Sequence, residues 1–377
     1  MRESWIDSWK GLLIFLVVVG HIVGMMCHYT AGEASRFMSF CYKWIYLFHM
    51  PAFFVVVGYV RRGRERSDFR GVAVKGARRL LIPYFFWGLV SVGVLLAMMS
   101  VIVALKSSNG YYSERMLPEE WWQPLVSLLH AGGWPNGNGF RCNSVLWFLP
   151  VMFLTLLARY GLQGVGWLRD RTLNKVFLIA VCLVIGGVLR LYVGALPWGI
   201  DRVPRFLAFV YFGDLLAGIG AKFGGDACHL QLQPSSNQRP GHLTVCRAAT
   251  AFVACGVALT WGAVMMPDLA MAFCSWRWYF TEVGLAALGS IMTQAFARCV
   301  DCRLLAGLGM ASLGIMVIHK FPIVALQSLG TLQRVMNGLG NVTALGVALC
   351  IAIGVTAIAW GVTWCVRRVM PWAVGET

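Results

Sequence analysis

The stretch Trp5-Ile-Asp7-Ser-Trp-Lys10-Gly-Leu-Leu-Ile-Phe-Leu-Val-Val-Val-Gly-His21 decides the class of the fold. Between Lys10 and His21 it carries no charged or strongly polar side chain, and the apolar run continues through Ile22-Val-Gly-Met-Met26. A segment of this length and character crosses a hydrocarbon core as a helix. An ionisable side chain at membrane depth is costly, so His21 is a functional candidate by default. At 100° per residue, Lys10 and His21 lie about 20° apart around the helix and roughly 16 Å apart along it. One stripe thus holds a basic group at the membrane surface and a proton acceptor well inside. The layout suits a long ligand with a charged head and a reactive tail.

Working outward, the whole chain has the same character. Of its 377 residues 58% are hydrophobic and 13% charged, more apolar surface than a water-soluble fold can hide. About ten segments are long enough to span a bilayer. They lie near 11–29, 38–60, 80–105, 144–162, 174–197, 203–223, 245–266, 279–299, 305–329 and 340–366. The expected fold is all-α: a polytopic membrane protein of about ten transmembrane helices, forming one domain over 1–377. The first apolar run is of spanning length and carries His21, so it reads as a retained span rather than a cleaved signal peptide.

The net charge of +16 raises the question of nucleic acid, and its distribution answers it. With the N-terminus in the cytoplasm, most Lys and Arg fall on inside segments: the run from Arg61 to Arg79, the turn from Arg159 to Lys175, Lys222 with Arg239 and Arg247, Arg298 with Arg303, and Arg367-Arg368. That is the positive-inside pattern, and it puts both termini in the cytoplasm. Nucleic-acid binding is not expected. The expected location is an integral one, in a bacterial inner membrane.

Two loops interrupt the apolar pattern. Residues 106–143 form an outside loop with Tyr111, Tyr112, Trp121-Trp122 and Trp134, and Trp147 at its exit. Such rings stack on sugar faces, or anchor loops at the bilayer interface with no ligand at all. Residues 224–244 form a polar inside linker with two prolines and no periodicity. The 12 cysteines are scattered, and Cys299-Val-Asp-Cys302 lacks the further ligands a zinc site needs. No metal is expected. Nucleotide-binding glycine loops, the H-E-x-x-H zinc motif and a serine elbow are all missing.

Several residues remain as candidates. His21 as a neutral imidazole can take a proton from a hydroxyl near neutral pH. Asp7 sits on nearly the same face and is expected to pair with a basic group or cap the helix. Lys75, Arg78 and Arg79 make one patch beside a span, suited to phosphates or to anionic lipid. His49 and His319 each stand just before a proline (Pro51, Pro322), which frees a backbone carbonyl one turn back for a nearby donor. Structural and functional roles stay open for both. Glu282 could orient a histidine, bind a sugar hydroxyl, or pair with Arg205 or Arg277. Asp201 and Arg202 are candidates at an outer turn. Asp214 is costly within a span unless paired, and the sequence names no partner for it.

Taken together these residues resemble a known family. Trp5-Ile-Asp7-x-x-Lys10-Gly-x-x-Ile-x-x-Val-Val-x-Gly-His21 is similar to the opening of the integral-membrane acyltransferase-3 family. Phe48-His-Met-Pro-x-Phe-Phe, Arg78-Arg-Leu-Leu-Ile-Pro-Tyr-Phe-Phe-Trp87, Leu146-Trp147-Phe-Leu-Pro150, Leu196-Pro-Trp-x-x-Asp201 and Ile318-His319-x-x-Pro322 resemble its later markers in order and spacing. The likeness is greatest to the subgroup of fucose 4-O-acetyltransferases and exopolysaccharide acyltransferases. It implies transfer of an acyl group, usually acetyl from acetyl-CoA as co-substrate, to a carbohydrate hydroxyl. It also implies a basic residue and a histidine separated by ten intervening positions in the first span, which Lys10 and His21 match. The family's inside R-x-x-R motif is nearest to Lys75-x-x-Arg78 here, with Arg79 adjacent. Many relatives carry an added extracytoplasmic domain, and none is expected in this chain.

The mechanism expected from both readings places CoA phosphates near Lys10, Lys75, Arg78 and Arg79. The pantetheine arm, on the order of 16 Å long like the stripe, then reaches His21. His21 and Glu282 are the expected catalytic residues. Trp147, Asp7, His49, Asp201 and His319 are acceptor or structural candidates. The rival reading is a transporter or flippase of a lipid-linked saccharide; within the enzyme class, succinyl competes with acetyl.

Overall fold

The computed structural model describes residues 3–30, 32–60, 69–105, 122–131, 141–163, 172–223, 242–267, 275–328 and 338–376. Most of the outside loop 106–143, the inside linker 224–244 and the basic run from Arg61 lie outside these residues, with Tyr111, Tyr112, Trp121 and Trp134.

Among the described residues all regular structure is helical. In chain order the helices are α1 (Ser4–Met26), α2 (Gly32–Tyr46), α3 (His49–Val60), α4 (Phe69–Gly76), α5 (Ile82–Leu105), α6 (Gln123–His130) and α7 (Phe148–Gln163). There follow α8 (Thr172–Val188), α9 (Val203–Phe223), α10 (His242–Met265), α11 (Trp276–Cys299), α12 (Arg303–Met310), α13 (Ser312–Ile318), α14 (Lys320–Ser328) and α15 (Asn341–Val369). Wider π turns, Ala77–Leu81 and Leu189–Val193, join α4 to α5 and end α8.

Among the described residues, each of the expected spanning segments is helical over most of its length. Seven helices are long and apolar enough to cross a membrane, and an eighth arises if the pair Arg303–Met310 and Ser312–Gln327, bent by 66°, is one broken span. α9, of 21 residues, and α11, of 24 residues, occupy the other two expected segments and carry buried Asp214 and Glu282. The second span breaks after Tyr46 and resumes at His49.

α1 is central. It packs along α12 and also against α2, α3, α11 and α15. Its contact with α12 is backbone on backbone. A Cβ on Gly11 would come within 1.9 Å of the Leu305 carbonyl oxygen, and one on Gly309 within 1.8 Å of the Asp7 oxygen. Gly58 of α3 and Gly213 of α9 do the same for each other's helices, at 1.8 Å from Val210 O and 2.1 Å from Val55 O. Lipid supplies no hydrophobic drive between helices, so small residues that allow close approach do much of the packing. Trp9, fully buried, donates its indole N–H to Thr293 Oγ1 at 3.0 Å. The hydroxyls of Ser4 and Ser8 donate to Asp301, tying the start of α1 to the turn before α12. Large apolar side chains such as Leu173, Val257, Trp261 and Val342 point outward, as in a protein whose solvent is lipid.

Candidate active site

The broken helices converge on His21. Its ring centroid lies 5.3 Å from that of His319, at the junction of α13 and α14, and 6.0 Å from that of Tyr46 at the end of α2. Tyr46 Oη and His21 Nδ1 share a hydrogen bond of 3.1 Å. The Tyr46 ring stands 4.7 Å from His49, the first residue of α3, and 4.0 Å from Tyr42 one turn below. Lys320, His319 and His49 all lie within electrostatic reach of His21. Three histidines far apart in sequence thus share one place.

The sequence builds this cluster by leaving room on α1. Gly20 and Gly24 lie four apart on the face turned to α2, where Tyr46 and Tyr42 also lie four apart. A Cβ on Gly20 would meet the Tyr46 ring at 3.1 Å, and one on Gly24 the Tyr42 ring at 2.8 Å. The two glycines therefore seat the two phenols beside His21.

His49 and His319 are held alike. Each donates its Nδ1–H to the carbonyl one turn back in its own chain, Ile45 O and Ile315 O, both at 2.9 Å. The acceptors are not the carbonyls that Pro51 and Pro322 free, those of Leu47 and Ile318. A carbonyl only accepts, so Nδ1 carries the proton in both rings and Nε2 keeps a lone pair in the neutral form. His319 is wholly buried, and its Nε2 has no hydrogen-bond partner among the described residues. Asn143, also fully buried, donates to Val317 O at 2.9 Å and so fastens the Arg141–Trp147 turn to the end of α13.

The other end of the α1 stripe is ionic. Lys10 pairs with Asp7 at 2.5 Å, so Asp7 takes the pairing role rather than capping the helix. Lys75, Arg78 and Arg79 are exposed on α4 and the π turn after it. The Pro371–Val374 turn packs against that segment, and Trp87 donates its indole N–H to Ala373 O at 2.8 Å.

Glu282 and its expected companions form a second constellation. Glu282 is buried and held by Arg205 at 2.7 Å and by Arg190 at 2.8 Å. Of the expected pairings the structure thus keeps Arg205 and replaces Arg277 with Arg190. Both carboxylate oxygens face guanidinium groups, an arrangement that neutralises charge rather than orients a histidine. Arg202 stacks over Trp147 at 4.6 Å, with Trp147 in turn on Phe206 at 5.9 Å. Asp201 accepts the Leu196 N–H at 2.9 Å and braces a turn in which Trp198 and Gly199 have positive φ. Burial holds the Arg202 guanidinium below its usual pKa. Asp214, partnerless in the sequence reading, is held by Lys175 at 2.9 Å and Arg159 at 3.7 Å. No group of three or more potential metal ligands occurs among the described residues.

A family model described as an acyltransferase domain matches residues 3–364 of this chain. The chain is similar to "Nodulation protein NolL" of Mesorhizobium japonicum, 36% identical over 88 residues, which is 23% of each chain. It is similar to "Nodulation protein NolL" of Sinorhizobium fredii as well, 37% identical over 87 residues and again 23% of each. The match thus spans under a quarter of the length of these curated relatives. No solved structure matches.

Proposed function

The chain belongs to the acyltransferase-3 family, and from that premise we propose that it is an O-acyltransferase that moves an acetyl group from acetyl-CoA to a saccharide hydroxyl. The observation that carries this reading is His21, ringed by Tyr46, His49 and His319 at the far end of the stripe that starts at Lys10. The clustered basic segments support a bacterial inner membrane with both chain ends in the cytoplasm. The donor then enters from the cytoplasm, and its phosphates meet Lys75, Arg78 and Arg79, with Lys10 next once it parts from Asp7.

The acceptor oxygen gains the acyl carbon as the carbon–sulfur bond breaks. The hydroxyl proton leaves for an imidazole and a proton reaches the departing thiolate. His21 serves either as the base that takes that proton or as a transient carrier of the acyl group. Asp201 and Glu282 support the scaffold around Trp147, whose ring is a platform for a sugar face.

The test is thioester cleavage by purified protein in lipid nanodiscs. His21→Ala should abolish acetyl-CoA turnover while membrane insertion and thermal stability stay unchanged. Full turnover in that variant would rule out both roles of His21. Unmodified protein that neither binds acetyl-CoA nor acylates any glycan would favour the rival carrier of a lipid-linked saccharide. Succinyl-CoA tested alongside identifies the acyl group.

A further inference from the structure

We propose that His319 is the base that takes the proton of the acceptor hydroxyl, which leaves His21 free to carry the acyl group. The inference rests on the acyl-transfer reading above and assigns its two chemical tasks to two rings. His21 has one nitrogen engaged by Tyr46, so only Nε2 remains to react. Once Nε2 holds an acyl group it has no lone pair for a proton, and the second half of the reaction needs another base. His319 supplies one. Its ring abuts that of His21 at 5.3 Å, whereas the His49 ring lies against Tyr46.

The ring of His319 is set for this task. Nδ1–H is spent on Ile315 O, which fixes the tautomer and turns Nε2 away from its own helix. That nitrogen is buried and has no hydrogen-bond partner among the described residues. A buried polar atom without a partner is costly, and packing alone gives no reason to keep it. A hydroxyl donor restores the missing bond. The ring sits where α13 gives way to α14, in the second arm of a span that is bent by 66° between Met310 and Ser312.

The steps balance. The neutral His21 Nε2 attacks the thioester carbonyl, the carbon–nitrogen bond forms, the carbon–sulfur bond breaks, and the thiolate leaves and is protonated by water. The acceptor hydroxyl then gives its proton to His319 Nε2 as its oxygen takes the acyl carbon. The carbon–nitrogen bond breaks, His21 is restored, and His319 releases its proton to water.

The decisive variant is His319→Asn, whose amide N–H can still reach Ile315 O but which has no basic nitrogen. Protein in nanodiscs would be given acetyl-CoA labelled in the acetyl group, with either methyl fucoside or hydroxylamine as acceptor. Hydroxylamine attacks acyl-imidazole without a base. The variant should release CoA in a first burst and keep label on the protein. Its transfer to the glycoside should fall by at least about 100-fold, and its hydroxylamine turnover should match the unmodified protein. Glycoside transfer within threefold of normal would overturn the proposal. So would a folded variant, judged by melting temperature, that no longer cleaves acetyl-CoA. Should the asparagine variant not fold, His319→Gln is read the same way. Failure of the acyl-transfer reading itself is distinct, because then the unmodified protein also leaves acetyl-CoA intact.

Discussion

Gly11→Ala inserts a single methyl group between α1 and α12. Its Cβ would stand 1.9 Å from the Leu305 carbonyl oxygen, 2.7 Å from the carbonyl carbon and 3.1 Å from the Gly309 nitrogen. Real Cβ contacts essentially never fall below 3.0 Å, so the helices must separate by at least about 1 Å at this level. All three neighbours are backbone, and no change of rotamer relieves them. Overpacking commonly costs about 1–3 kcal/mol; with rigid partners the upper end applies. At roughly 2–4 °C per kcal/mol, the melting temperature should drop on the order of 6–12 °C. The displacement also reaches the chemistry. α1 carries His21, and α12 leads through the bend at Ala311 into α13, which ends at His319, so the pair separates with the helices. A misplacement of about 1 Å is worth on the order of 100-fold in rate. The assay is thermal unfolding in detergent beside acetyl-CoA turnover. Gly354→Ala in α15 is the control, because nothing lies within 4 Å of its added methyl. It should be neutral or more stable by about 0.5–1 kcal/mol from helix propensity. Equal melting temperatures for the two variants, or normal turnover in Gly11→Ala, would refute the packing argument.

Two further outcomes follow from the constellations around the spans. Glu282→Ala leaves Arg190 and Arg205 facing each other without a counter-charge and should cost about 3–5 kcal/mol. Arg205→Ala leaves the neutral pair Arg190–Glu282 and should cost less; thermal melts that rank the two the other way would show that Glu282 is not the centre of the cluster. Tyr46→Phe removes the hydrogen bond to His21 Nδ1 and should slow turnover roughly three- to tenfold, the worth of one neutral hydrogen bond. Its KM for acetyl-CoA should stay unchanged in steady-state kinetics, and a change confined to KM would place Tyr46 in donor binding instead.

Hydrophobic runs made the helices legible, because in lipid a spanning backbone has few alternatives to a helix. The bend between Met310 and Ser312 and the break after Tyr46 were not, since no proline stands at either point to mark it. His21 stood out because a titratable ring is costly in an apolar run and because it shares a helix stripe with Lys10. His49 and His319 could not be placed beside it, for nothing in the sequence states which spans are neighbours. Tyr46 went unnoticed, although Gly20-x-x-x-Gly24 facing Tyr42-x-x-x-Tyr46 was a readable pattern of small against large. The second arginine on Glu282 was not legible, because it comes from a more distant span. Arg190 lies 92 residues before it, and such pairings appear only in three dimensions.

The cluster of Arg190, Arg205 and Glu282 bears on how the protein is made. Its two cations precede its anion by tens of residues, 77 in the case of Arg205. During synthesis the first two spans therefore emerge with uncompensated charge and find their neutralising partner only when the third arrives. The charges compensate one another only once all three spans are packed together, so the cluster ties the placement of α8 and α9 to that of α11.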